Sequence, residues 1–176
     1  IIMVGEIRDT ETADLAIQAA LTGHQVFSTV HTNSAAGAPP RLLDMGVEPF
    51  LLASSLNAVV GQRILRKICP HCKESYDPPE IMQNDIRTVL GAFLPVDKQK
   101  DGKIILYKGR GCSECADSGF LGRFGIFEVL TVSDQISKLI LTHADAGTVE
   151  KQAISEGMIP MKTDGYLKAV EGTTTI

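Results

Sequence analysis

Residues 1 to 7 form a short, nearly continuous apolar run carried by Ile1, Ile2, Met3, Val4 and Ile7. That pattern predicts a strand buried on both faces. A helix should follow, capped by Asp9 or Thr10 with Glu11 and Asp14 in or near its first turn. Ala13, Ala16, Ile17, Ala20 and Leu21 recur at helical spacing on one face, and Gly23 suits its C-terminal end. Gln25 to Val30 reads as a second strand. Strand, helix, strand at this spacing predicts an α/β layer with a parallel sheet.

Pro39 and Pro40 fit only a first helical turn, so a short helix should run from about Pro40 to Met45 and stop at Gly46. Another should begin at Pro49. From Gly61 to Lys73 the pattern changes, with Arg63, Arg66, Lys67 and Lys73 placed around Ile64, Leu65 and Ile68. Residues 69 to 115 read as an insertion. It holds one amphipathic helix (Ile81, Met82, Ile86, Val89, Leu90 and Phe93 apolar), a polar turn at Asp97 to Gly102 and a strand from Lys103 to Lys108. A strand over Arg123 to Leu130 and helices near Ser133 to Thr142, Thr148 to Ser155 and Met161 to Val170 complete the expected order.

Composition narrows the class. Of 176 residues, 44% are hydrophobic and 22% charged, which excludes a disordered tail, a collagenous repeat and a coiled coil. Lys and Arg number 17 against 21 Asp and Glu, and a net charge of −4 argues against a general nucleic-acid coat. No apolar run approaches the roughly 18 residues of a membrane span, and the first residues lack the basic region of a signal peptide. A chain opening inside a strand and stopping at Thr173 to Ile176 without a terminal helix is expected to be a piece of a longer protein.

All four cysteines lie in two Cys-x-x-Cys pairs, Cys69 with Cys72 and Cys112 with Cys115, and 39 residues separate Cys72 from Cys112. A two-residue gap turns two thiolates onto one ion, and two such knuckles complete a tetrahedral S₄ shell. Zinc with a structural role is the expected occupant. Reduced core cysteines, a redox pair and an iron–sulfur centre are the alternatives. A shell of four thiolates around a divalent ion has net charge −2, and Arg66, Lys67, Lys73 and Arg110 stand nearby in sequence. His71, between Cys69 and Cys72, is a competing ligand but reads better as a surface histidine.

Glu6 closes the first strand, with Arg8 and Asp9 just after it. A carboxylate there points into the crevice where α/β proteins bind ligands and can orient water or reach a magnesium ion. A capping or salt-bridged acid fits the pattern equally well. His24 ends the first helix and His31 the second strand; His31-Thr32-Asn33 offers donors suited to phosphate, although a loop histidine is commonly structural.

The sequence blocks carry a resemblance. IIMVGEIRDTETAD resembles the Walker B segment of the type II secretion and type IV pilus assembly ATPases, hexameric traffic motors of the RecA-like P-loop class. TGHQVFSTVHTN resembles their histidine box, RLLDMGVEPFLLASSLNAVVGQRILRKICPHCK the approach to their zinc insertion, and GFLGRFGIFEVL the return to the motor core. The resemblance covers nearly the whole chain. It implies a partial RecA-like P-loop NTPase core at residues 1–68, a tetracysteine zinc insertion at 69–115, and the rest of the motor domain with C-terminal helices at 116–176.

The resemblance also assigns roles. Glu6 is implied to position the attacking water and assist Mg²⁺, and His24 and His31 to act near the γ-phosphate. Cys69, Cys72, Cys112 and Cys115 are implied to bind Zn²⁺, a feature of export or assembly motors more than of retraction motors. ATP and Mg²⁺ would serve the longer parent, a homo-hexamer in the cytoplasm, peripheral on the bacterial inner membrane and docked on platform proteins there, with no nucleic acid. G-x-x-x-x-G-K-[ST] does not occur in these residues, so they are expected to be inactive alone. Two other readings stand beside this one: a zinc-ribbon nucleic-acid module, disfavoured by 5% aromatic content, and a non-catalytic, zinc-stabilised assembly platform.

Overall fold

The structure is a computed structural model that describes residues 1–95, 99–100 and 102–176. Asp97, Lys98 and Asp101 of the expected polar turn lie outside the described residues. The chain divides into two compact units, one of residues 1–61 with 128–159 and the other of 62–127 with 160–176.

The first unit opens with β1 (Ile2–Met3), α1 (Thr10–Leu21) and β2 (Val26–Phe27). β1 and β2 pair in parallel, Ile2 with Val26 and Met3 with Phe27, as the strand, helix, strand spacing predicts. Backbone bonds from Val4 to Phe27 and from Ile7 to Thr29 extend the pairing beyond the regular strands. Asp9 caps α1 by accepting the Thr12 N–H at 2.8 Å. Ala13, Ala16 and Ile17 are buried, and Leu21 is exposed.

One expectation fails here. Ile1 is 90% and Met3 81% exposed, not buried on two faces. The reason is that β1 has a single hydrogen-bonded neighbour, β2, among the described residues.

After β2 a 3₁₀ turn at Ala35–Gly37 leads into α2 (Ala38–Asp44), and α3 (Pro49–Ser55) follows. The start of α2 lies just ahead of the expected position, because Pro39 and Pro40 both fit its first turn. β3 (Ala58–Ile68) then runs from this unit into the other, hydrogen-bonded to β8 (Phe120–Thr131), which returns. α5 (Asp134–Leu141) and α6 (Ala146–Ser155) finish the unit, capped by Ser133 and Asp145. Leu42, Leu52, Leu130, Ile136, Ile140 and Val149 fill its core.

The second unit contains β4 (Lys73–Tyr76), α4 (Glu80–Leu90), the hairpin β5 (Gln99–Lys100) with β6 (Lys103–Ile104), β7 (Leu106–Gly109) and α7 (Met161–Val170). β4 pairs antiparallel with β7. Ile86, Leu90, Ile104, Leu106 and Val170 form its core, while Ile81 and Phe93, two of the apolar residues of the expected amphipathic helix, are exposed. Buried Gln83 ties this unit together: its amide donates to Asp77 and Pro78, and its carbonyl accepts the Ile104 N–H.

Candidate metal centre and strand-end site

Each knuckle sits where a strand stops or starts. Cys69 follows β3, Cys72 precedes β4, Cys112 follows β7 and Cys115 precedes β8. Because β3 pairs with β8 and β4 with β7, the strand pairing itself brings the two knuckles together. Backbone bonds close the arrangement, from Cys69 N–H to Gly119 carbonyl at 3.0 Å and from Arg110 N–H to Cys72 carbonyl at 3.0 Å.

The sulfurs converge. Sγ atoms of Cys69 and Cys112 are 3.9 Å apart, those of Cys72 and Cys115 3.9 Å, and those of Cys112 and Cys115 3.7 Å. All four lie within 4.8 Å of one another. A tetrahedron with metal–sulfur arms of about 2.3 Å has edges of about 3.8 Å, so the donor set fits a Zn²⁺-sized ion. Cys69, Cys72 and Cys115 are buried, and no disulfide joins any pair. His71 is exposed and outside the cluster.

Burial and backbone N–H groups act on the thiols in opposite directions. Burial pushes Cys72 up to about 11 and raises Cys112 as well. Burial acts upward on Cys115 too, but backbone N–H groups of Cys112 and Gly119 and the neighbouring thiols outweigh it and bring that group down to about 7. A divalent ion bound by these sulfurs would displace thiol protons. The nearby cations assist less directly than their sequence positions suggested. Arg66 stacks over Phe120 at 4.1 Å and Lys73 over Tyr107 at 4.2 Å, while backbone N–H groups of Gly111 and Cys112 approach sulfur at 3.3 Å.

Gly109 is demanded by this geometry. A Cβ built there would stand 2.0 Å from the Gly119 carbonyl oxygen, backbone against backbone. Gly109→Ala is therefore expected to push the knuckles apart and lower metal affinity by about 10-fold or more. Competition with a chromophoric chelator measures this directly, and unchanged affinity would contradict the packing.

The second site lies at the C-terminal ends of β1 and β2. Parallel pairing brings Glu6 and His31 to the same end, and His31 Nε2 stands 3.1 Å from Glu6 Oε2. Arg8 Nε reaches the same oxygen at 2.7 Å. Arg8 is the residue the pattern did not single out, although side chains two apart along an extended chain share a face. Its guanidinium, opposed by partial burial and assisted by His31, holds the Glu6 carboxyl below the usual carboxylate range. Glu6 is 36% exposed and His31 83%, so the group is open to a ligand. A carboxylate oxygen is a donor of the hard type Mg²⁺ takes.

His24 is not part of this group. It precedes β2, where Nδ1 lies 3.2 Å from the Ala19 carbonyl and 3.1 Å from the Thr22 hydroxyl. The extended chain between His24 and His31 separates them by on the order of 20 Å at about 3.3 Å per residue.

The chain matches the model of the Type II/IV secretion system protein family over residues 1–176, and it belongs to that family. It is 43% identical over 176 residues to the type IV pilus assembly ATPase PilB of Myxococcus xanthus and 46% identical over 178 residues to the type II secretion system protein E of Xanthomonas campestris. Each alignment takes in the whole of this chain and 30% of the relative, so the chain spans about a third of their length. Among solved structures, the Legionella pneumophila ATPase DotB superposes with a TM-score of 0.59 at 19% identity, covering 99% of this chain and 36% of that one. The pilus retraction motor PilT with bound ADP gives 0.57 at 22% identity, covering 99% and 37%. Those two likenesses establish the fold. No helix among the described residues is long and apolar enough to cross a membrane.

Proposed function

We propose that this chain is the Walker B, histidine-box and zinc-bearing part of an ATP-driven motor that powers type II protein secretion or type IV pilus assembly. The observation that carries the reading is the parallel β1–β2 pair, which puts Glu6 and His31 within 3.1 Å at one strand end, in a chain of this family. Glu6 would orient the attacking water and assist Mg²⁺ beside ATP, and Arg8 keeps its carboxylate ionised. His31 would meet the developing charge of the transferred phosphate. His24, at the far end of β2, takes no part in that contact within one chain. The four cysteines would bind a structural Zn²⁺. The parent would work as a homo-hexamer, peripheral to the bacterial inner membrane on platform proteins. The similarities give no support to nucleic-acid binding.

The phosphate cradle of this class is a loop of backbone amides with one lysine, G-x-x-x-x-G-K-[ST], which these 176 residues do not contain. A polypeptide of residues 1–176 is therefore expected to hydrolyse no ATP above background and to bind Mg-ATP very weakly. Calorimetric titration beside the full-length protein checks this. Micromolar affinity or repeated turnover by the short polypeptide would place the nucleotide site elsewhere.

A further inference from the structure

Along the end of β8, Ile126, Glu128 and Leu130 are buried while Phe127 and Val129 are exposed. A carboxylate thus occupies a core position in an alternating row, 5% exposed. Buried charge is retained only where it is bonded. Glu128 Oε1 accepts the backbone N–H of Ala35 at 2.6 Å, across 93 residues of sequence. Ala35 opens the 3₁₀ turn that leads into α2, and Ala35, Ala36 and Ala38 are all buried. The ordinary local acceptor for such an N–H is the side chain at the N-cap. Ser34 stands there and makes no side-chain capping bond. Glu128 supplies the acceptor from another element.

The segment that this bond anchors begins at His31. On its other side the segment is fixed by strand pairing, through Ile7 N–H to Thr29 carbonyl at 2.8 Å and Thr29 hydroxyl to Gly5 carbonyl at 2.8 Å. Between the two anchors, Thr32 hydroxyl donates to the Ser34 carbonyl at 2.9 Å. His31 is mostly exposed and has little packing of its own to hold it on Glu6.

We propose that Glu128 is a positioning residue for ATP hydrolysis: its buried carboxylate pins the turn after His31, and so holds the imidazole against Glu6. Glu128 acts through His31 and touches no nucleotide. The proposal rests on the reading of Glu6 and His31 given above. A residue of this kind should lower kcat without weakening substrate binding.

The test uses the full-length protein with Mg-ATP. Glu128→Leu puts an apolar residue of similar size in an apolar row and should fold with unchanged metal content. Its kcat should fall about 10-fold or more with KM within about threefold, whereas Glu128→Gln, which keeps the carbonyl acceptor, should stay within about threefold of the parent. In a His31→Ala background the further loss from Glu128→Leu should be under about twofold, because the two residues act in series. Ala35→Pro removes the donor instead. Extended Ser34 suits the position before proline and the first turn tolerates it, so this variant should show the same loss even if Glu128→Leu does not fold. Full kcat in either variant, or an equal loss with and without His31, overturns the proposal. Undiminished turnover in both Glu6→Gln and His31→Ala overturns the underlying reading itself, a separate and distinguishable result.

Discussion

Glu6→Gln in the full-length protein is expected to cut kcat for ATP hydrolysis by roughly 10²–10⁴-fold, the usual weight of a positioned acid–base group. Gln keeps the size and one acceptor oxygen but cannot take a proton from water or add negative charge beside Mg²⁺. Binding of Mg-ATP should change little, since the triphosphate is held chiefly by the phosphate loop of the class. Arg8 and His31 lose a charged partner, so the strand ends should loosen locally without unfolding. Glu6 is only partly buried, and no large stability change is expected. Rapid-mixing phosphate release paired with nucleotide affinity separates the two effects. Lost binding, with turnover falling only in proportion to occupancy, would contradict the role assigned to Glu6.

Removal of the metal should have the largest structural effect. The knuckle core consists of the cysteines themselves, so a bound ion would supply the folding energy that apolar packing supplies elsewhere, on the order of 10 kcal/mol for structural zinc. Chelation, or Cys69→Ser at the most buried ligand, should free residues 69–73 and 109–120, while α4 and α7 stay protected around Ile86, Leu90 and Val170. Hydrogen exchange should report that division. Affinity should rise with pH, because protons compete for the thiols, and with Cys72 at about 11 the competition persists at neutral pH. Protection of both knuckles unchanged by chelation would show that the metal is dispensable.

Much of this architecture was legible because local signals agreed. Asp9 before an alanine-rich face marks α1, Ser133 marks the start of α5, and the two Cys-x-x-Cys pairs mark the cluster before any strand is placed; α6 starts ahead of the expected Thr148 because Asp145 caps it. β3 was not legible. Its eleven residues are mostly exposed and carry Arg63, Arg66 and Lys67, so no period-2 apolar pattern marks it. The strand-end site was half legible. Glu6 and His31 follow from parallel pairing, whereas the role of His24 near the γ-phosphate is implied by the resemblance alone and no contact within this chain bears on it. Glu128 was hidden in a stretch that reads as strand, where the one departure from apolar alternation is the informative residue.

In the full-length protein these residues would complete an ATP-hydrolysing centre. The most direct test is steady-state phosphate release from Mg-ATP by the purified, metal-loaded full-length protein, set beside its Glu6→Gln variant at saturating nucleotide. Repeated turnover is expected in the parent and near-background release in the variant, with nucleotide still bound in both. Equal turnover in the two proteins, or none in the parent despite bound Mg-ATP, would contradict that expectation.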